Sequence, residues 1–121
     1  MAGVLMKKVL VILSTSPFQH TSAREGQDLV MALAAVEHHV SVLYCGAGVL
    51  QLRQSATPSL MPVKDFTVQQ KLFALYDIAA VYACADSVRR WSVDVSFART
   101  DITLVDVSQL ELTQFDYVIE N

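Results

Sequence analysis

Charge is what this sequence has least of. Of 121 residues only 17% are charged, where an ordinary soluble domain has about 25%, and 53% are hydrophobic. Such a surface belongs either to a membrane protein or to one whose surface partners cover. Long apolar runs are missing too. Stretches such as Val9–Leu13 and Leu29–Val36 fall well short of the roughly 18–20 residues that span a bilayer, which leaves the covered surface. No basic cluster exceeds Arg89-Arg90 and the net charge is −3, so strong direct binding to nucleic acid is not expected. There are only two cysteines and no secretory pattern. Lys7 and Lys8 follow a short apolar stub instead of preceding an apolar region, and Ser14-Thr15-Ser16-Pro17 interrupts the run behind them. A cytoplasmic, reducing setting with free thiols is the expectation. Met6-Lys7-Lys8 reads as a natural start, so residues 1–5 are expected to be an N-terminal extension of a single domain spanning 1–121.

Several binding motifs fail for want of one residue type. Ser14-Thr15-Ser16-Pro17 with Thr21 and Ser22 has the hydroxyls of a flavodoxin-like phosphate loop. No glycine lies between Ser14 and Gly26 to turn amides inward, and Pro17 removes a donor, so a plain loop and helix start is preferred. Gly46-x-Gly48 falls short of a dinucleotide fingerprint, and His20, His38 and His39 match no zinc spacing. A phosphoacceptor receiver would need clustered acids after the first strand, where this chain has hydroxyls. No cofactor and no metal are expected.

The pattern that is present alternates strand and helix, which predicts an α/β domain with a parallel sheet. Lys8–Ser14 is a continuous β-branched run, as in a buried central strand. Ser22-Ala-Arg-Glu25 has capping-box spacing, and Leu29, Val30, Leu33, Ala34 and Val36 continue at helical spacing, predicting a helix over Ser22–Glu37. Val40–Tyr44, Ala79–Cys84, Ile102–Val105 and Tyr117–Ile119 complete five strands. Short helices are predicted over Val49–Arg53, Asp86–Trp91 and around Gln109–Phe115. A further helix over Val68–Tyr76 carries Leu72, Leu75 and Tyr76 on one face, with Lys71 and Asp77 solvated at its flanks. Gln54–Lys64, with two prolines, reads as a loop. In the common doubly wound order 2-1-3-4-5, with helices on both faces, chemistry would gather at the C-terminal strand ends. Those ends are Ser14–Thr21, Cys45–Gly48, Cys84–Ser87 and Asp106–Ser108.

Cys84 is the candidate catalytic residue. It lies where a strand gives way to a helix, whose N-terminus favours a thiolate, with Arg89 and Arg90 a turn or two on. Such a thiolate could carry sulfane sulfur as a persulfide. Asp86 opposes the charge and buried inert cysteines are common, so both readings stand. Cys45 also ends a strand. In the assumed order strands 2 and 3 flank strand 1, about 9–10 Å apart, too far for a disulfide, and Cys45 is expected in the core.

Several segments together resemble the TusC/DsrF family of the DsrE/DsrF superfamily. They are Ala23-Arg-Glu-Gly-Gln-Asp-Leu29, Gly48-Val-Leu-Gln-Leu52, Leu75-Tyr-Asp-Ile78, Ala83-Cys-Ala-Asp-Ser-Val-Arg89 and Phe115-Asp-Tyr-Val-Ile119. The resemblance runs from about Met6 to the C-terminus. It departs at Trp91-Ser92, where related turns often have glycine. It implies a five-stranded parallel sheet and a place in a TusBCD- or DsrEFH-like hetero-oligomer, a hetero-hexamer with TusB- and TusD-like subunits and a TusE-like acceptor. It further implies persulfide transfer towards 2-thiolation of the tRNA wobble uridine, or sulfur oxidation in the DsrEFH case. The sulfur-carrying cysteine is implied to lie on a TusD/DsrE-type partner, at the turn Cys84 occupies here, making this chain an accessory subunit. The alternative is a stand-alone thiol-based or flavodoxin-like cofactor-binding domain.

Overall fold

The computed structural model describes residues 6–53, 70–97 and 100–121. Five strands form one parallel sheet: β1 (Lys8–Leu13), β2 (His39–Tyr44), β3 (Ala80–Cys84), β4 (Thr103–Val105) and β5 (Tyr117–Glu120). Three α-helices are described, α1 (His20–Ala35), α2 (Leu72–Leu75) and α3 (Ala85–Arg90), with a 3-10 helix over Gly46–Leu52. The predicted Gln54–Lys64 loop, and residues 68–69 of the predicted Val68–Tyr76 helix, lie outside the described residues.

The strand order is β4-β3-β2-β1-β5, not 2-1-3-4-5. Three successive crossovers each step one strand in the same direction. The chain then returns through short turns at Val107–Gln109 and Leu112–Gln114 to lay β5 on the free side of β1. The middle strand is therefore β2, and β2 and β3 are neighbours. The edge strands explain the arrangement. Leu104 on β4 and Tyr117 and Val118 on β5 stay exposed, while β1 and β2 are buried over nearly their whole length.

Alternation along the strands assigns the core. Val9, Val11 and Leu13 of β1 share a face with Val40, Val42 and Tyr44 of β2 and with Val81 and Ala83 of β3. Val30 of α1, Phe73 of α2, Val88 of α3 and Val49, Leu50 and Leu52 join that same cluster. Leu10, Ser41 and Leu43 on the opposite face are buried as well, so the centre of the sheet is covered on both sides. A fully buried Leu or Val side chain contributes about 1.5–3 kcal/mol, and these residues dominate the fold.

Helix α1 does not start with the Ser22–Glu25 capping box. Its N-cap is Gln19, with no side-chain cap. The start is set earlier, by Ser16. Its hydroxyl accepts from the Phe18 amide (3.1 Å) and its carbonyl from the Gln19 amide (2.9 Å), a serine turn that delivers the chain into the helix before Ser22 is reached. The helix ends at Ala35, short of Glu37. His38 donates to the Leu33 carbonyl and Glu37 to that of Ala34, a Schellman ending with Glu37 in the left-handed region at φ 69°. Helix α2 ends the same way through Asp77 and α3 through Ser92, at φ 54° and 52°. The Trp91-Ser92 departure from glycine therefore keeps the glycine conformation with a serine in it.

On α2 the buried residue is Phe73. Leu72, Leu75 and Tyr76, the predicted apolar face, are exposed, Leu75 by 75%. That face finds no cover within the described residues.

Candidate functional site

The C-terminal ends of β2 and β3 meet at two cysteines. Tyr44 pairs with Ala83, and one residue further on the same register sets Cys45 beside Cys84. This overturns the argument that a strand separates them. Both thiols are free, Cys84 is buried and Cys45 half-buried, so it is Cys84 and not Cys45 that sits in the core.

Each thiol is placed by local structure. Cys84 is the N-cap of α3, in extended conformation, where an N-cap side chain meets the amides of the second and third helical residues. Those residues are Asp86 and Ser87. Cys45 precedes Gly46, whose φ of 55° turns the chain sharply into the 3-10 helix. Gly48 then lies flat on the backbone of Leu13 and Ser14, where any side chain would overlap the Leu13 carbonyl. This close approach draws the Gly46–Leu52 helix against the end of β1. Across the gap, the Gly46 amide donates to the Ser87 hydroxyl at 2.9 Å.

These groups give the thiols opposite tendencies. Burial pushes the Cys84 thiol up, but the Ser87 hydroxyl, the Ser87 and Asp86 amides and the Cys45 thiol together outweigh it and hold it below the ordinary cysteine value. Burial pushes Cys45 up, and the neighbouring Cys84 charge and hydrogen bond push it further. Of the two thiols, Cys84 is therefore the more readily ionised and Cys45 the less. The Asp86 carboxylate, expected to oppose the anion, is paired with Arg89 on the exposed side of α3, and it is the Asp86 amide that acts on the sulfur. A thiolate of this kind is a sulfur nucleophile.

The other strand ends hold structure. Ser14 donates its hydroxyl to the Asn121 carbonyl at 2.7 Å, and the Ser14 amide binds the same carbonyl, so the hydroxyl-rich segment is tied to the end of β5. Asp106 closes on Ser108 through its amide and hydroxyl (3.0 and 2.7 Å), which holds its carboxyl below the usual range. His38 accepts the Lys7 amide through Nδ1 (3.2 Å). Among the described residues, no three His, Cys, Asp or Glu side chains gather as metal ligands.

Sequence reasoning missed a buried polar row beneath the site. Gln51 donates to the Thr15 carbonyl (2.8 Å) and Gln70 to the Gln51 carbonyl (3.1 Å), and the Tyr44 side chain is fully buried as well. The available signal was a glutamine inside the apolar run Val49-Leu50-Gln51-Leu52. That reasoning placed Ser87 in the Cys84–Ser87 strand end but gave its hydroxyl no role, although Cys84-Ala-Asp-Ser87 has the spacing that places a hydroxyl over an N-cap side chain.

Comparison with known proteins agrees with this architecture. The DsrE/DsrF-like family matches residues 7–120. A TusC homolog of Vibrio vulnificus is 33% identical over 106 residues, covering 88% of this chain and 90% of that protein. Protein TusC of Klebsiella pneumoniae is 32% identical over 122 residues, covering 94% and 98%. The crystal structure of the YchN protein from E. coli superposes with a TM-score of 0.73 over 96% of this chain and 100% of that one, at 14% identity, a likeness of fold. With the match running almost from end to end, the chain belongs to the DsrE/DsrF-like family.

Proposed function

We propose that this chain is an accessory subunit of a sulfur-relay complex that passes persulfide sulfur towards 2-thiolation of the tRNA wobble uridine. The observation that carries the reading is Cys84, which stands at the N-cap position of α3 at the end of the sheet, its thiol drawn below its ordinary value by Ser87 and the first amides of that helix. Its relatives named TusC support the tRNA direction over sulfur oxidation. In the relay a partner's cysteine, at the equivalent turn of a TusD-like subunit, holds the transferable sulfur. This chain completes the assembly with that subunit and a TusB-like one, and a TusE-like protein accepts the sulfur.

Exposed apolar side chains support the assembly. Leu72, Leu75 and Tyr76 on α2, Trp91 after α3 and Tyr117 and Val118 on β5 are large and uncovered, in a chain too poor in charge to keep such surfaces apart. Among the described residues no helix is long and apolar enough to cross a membrane, so a bilayer-spanning helix does not account for them. The test is light scattering of the chain alone and with TusB- and TusD-like proteins. Alone it self-associates, and with them it enters a defined hetero-oligomer. A stable monomer whose size the partners leave unchanged would refute the proposal.

A further inference from the structure

We infer that Cys45 and Cys84 form a two-thiol centre, in which Cys84 takes up sulfane sulfur and Cys45 resolves the persulfide to an internal disulfide. The inference rests on the sulfur-relay reading and adds a role for Cys45, a residue that the relay itself does not require. It stands on placement. The two residues follow the last register pair of adjacent parallel strands, where Cα atoms lie about 4.8 Å apart. That separation is within the roughly 4.4–6.8 Å of natural disulfides. Their thiols lie near enough to act on each other's ionisation, and the Gly46-to-Ser87 bond ties the two turns together just beyond them.

The chemistry balances in two exchanges. The Cys84 thiolate attacks the outer sulfur of a donor persulfide. The donor's S–S bond breaks, the donor leaves as a thiol and Cys84 becomes a persulfide. Cys45 then attacks the Cys84 Sγ, the new S–S bond joins the two residues, and the outer sulfur departs as sulfide with the proton Cys45 gives up. The sulfane sulfur is reduced and the two thiols are oxidised, so no further oxidant is required. A thiol with a resolving partner in contact cannot store sulfur for long, which fits a chain that supports a relay while another subunit holds the cargo. A thiol reductant restores the pair.

The experiment uses the full chain, reduced and kept free of oxygen. It is loaded briefly with inorganic polysulfide, desalted, and followed by intact mass and by trapping of released sulfide. The parent protein gains one sulfur, then loses it with release of one sulfide and two hydrogens, and peptide mapping finds the Cys45–Cys84 disulfide. Cys45→Ser keeps the added sulfur on Cys84 on the order of tenfold longer, with sulfide release slowed in step and no internal disulfide. Cys45→Ala repeats the comparison should serine disturb the strand end. Equal persulfide lifetimes in parent and variants, a disulfide elsewhere, or no sulfur on Cys84 in any of them would overturn the inference. Association with TusB- and TusD-like proteins is scored on the same preparations. A complex that forms while the persulfide persists sinks only the thiol pair, and sulfide discharge from a chain that binds neither partner sinks the relay reading.

Discussion

The Gly46 amide gives its proton to the Ser87 hydroxyl at 2.9 Å, which orients the serine's own proton towards Cys84. One bond thus links the turn after β2 to the first turn of α3 and sets the ionisation of the thiol between them. Ser87 is the first of the groups that offset burial at Cys84, so Ser87→Ala should move the Cys84 titration upward. The pH dependence of Cys84 alkylation, followed by mass spectrometry, should shift to the alkaline side. The sign for stability follows. A lowered thiol contributes stability above its unfolded pKa, and that contribution is lost as pH falls through the folded value. Ser87→Ala should flatten that dependence. An unchanged alkylation profile would show that Ser87 does not act on the sulfur.

Ser22 caps nothing, since α1 begins at His20 behind Gln19. Ser22→Ala should therefore leave stability within about 0.5 kcal/mol of the parent. Ser16→Ala removes the hydroxyl that accepts from the Phe18 amide and should cost about 0.5–1.5 kcal/mol. Urea unfolding of both variants gives the comparison. A larger loss at Ser22 than at Ser16 would place the helix start where the capping-box spacing had suggested.

That reversal illustrates what was legible in the sequence. The strands were read within a residue or two, because runs such as Lys8–Leu13 and Ala80–Cys84 have no other use in a chain this size. Their order was not legible. Orders 2-1-3-4-5 and 4-3-2-1-5 both satisfy buried central strands and right-handed crossovers, and local sequence does not choose between them. The site suffered from this directly. Cys84 was identified from its strand-to-helix turn, a local signal, whereas its contact with Cys45 depends on β2 and β3 being neighbours. Leu72, Leu75 and Tyr76 misled for a related reason. Helical spacing identifies an apolar face but not what it is buried against, and here Phe73 turns inward instead.

Ser92 holds φ at 52° at the end of α3, a conformation that costs a non-glycine residue about 1–2 kcal/mol. Glycine removes that cost but adds freedom to the unfolded chain, worth roughly 0.4–1 kcal/mol the other way. Ser92→Gly should therefore stabilise the protein modestly, by up to about 1 kcal/mol, read as a rise in the urea midpoint. Glu37→Gly should behave alike at the end of α1, where φ is 69°. A lowered midpoint at both positions would mean that the replaced side chains make contacts outweighing the strain.

The remaining prediction separates support from catalysis. The Cys84 thiol is held below its ordinary value with Cys45 beside it, and on the two-thiol proposal a persulfide formed there is short-lived. On the proposed reading, a cysteine of a TusD-like partner is the store. In the reconstituted complex, Cys84→Ser should leave assembly intact, because the exposed apolar side chains proposed to bind partners lie on α2, β5 and the turn after α3. Sulfur transfer to the acceptor should fall only modestly, by about twofold or less, under 0.5 kcal/mol in barrier terms. The same change at the partner's cysteine should abolish transfer. Persulfides trapped during turnover and located by mass spectrometry should sit mainly on the partner. If the label accumulates on Cys84 and transfer stops when it is replaced, this subunit is the carrier itself, and the resolving role assigned to Cys45 fails with the supporting one.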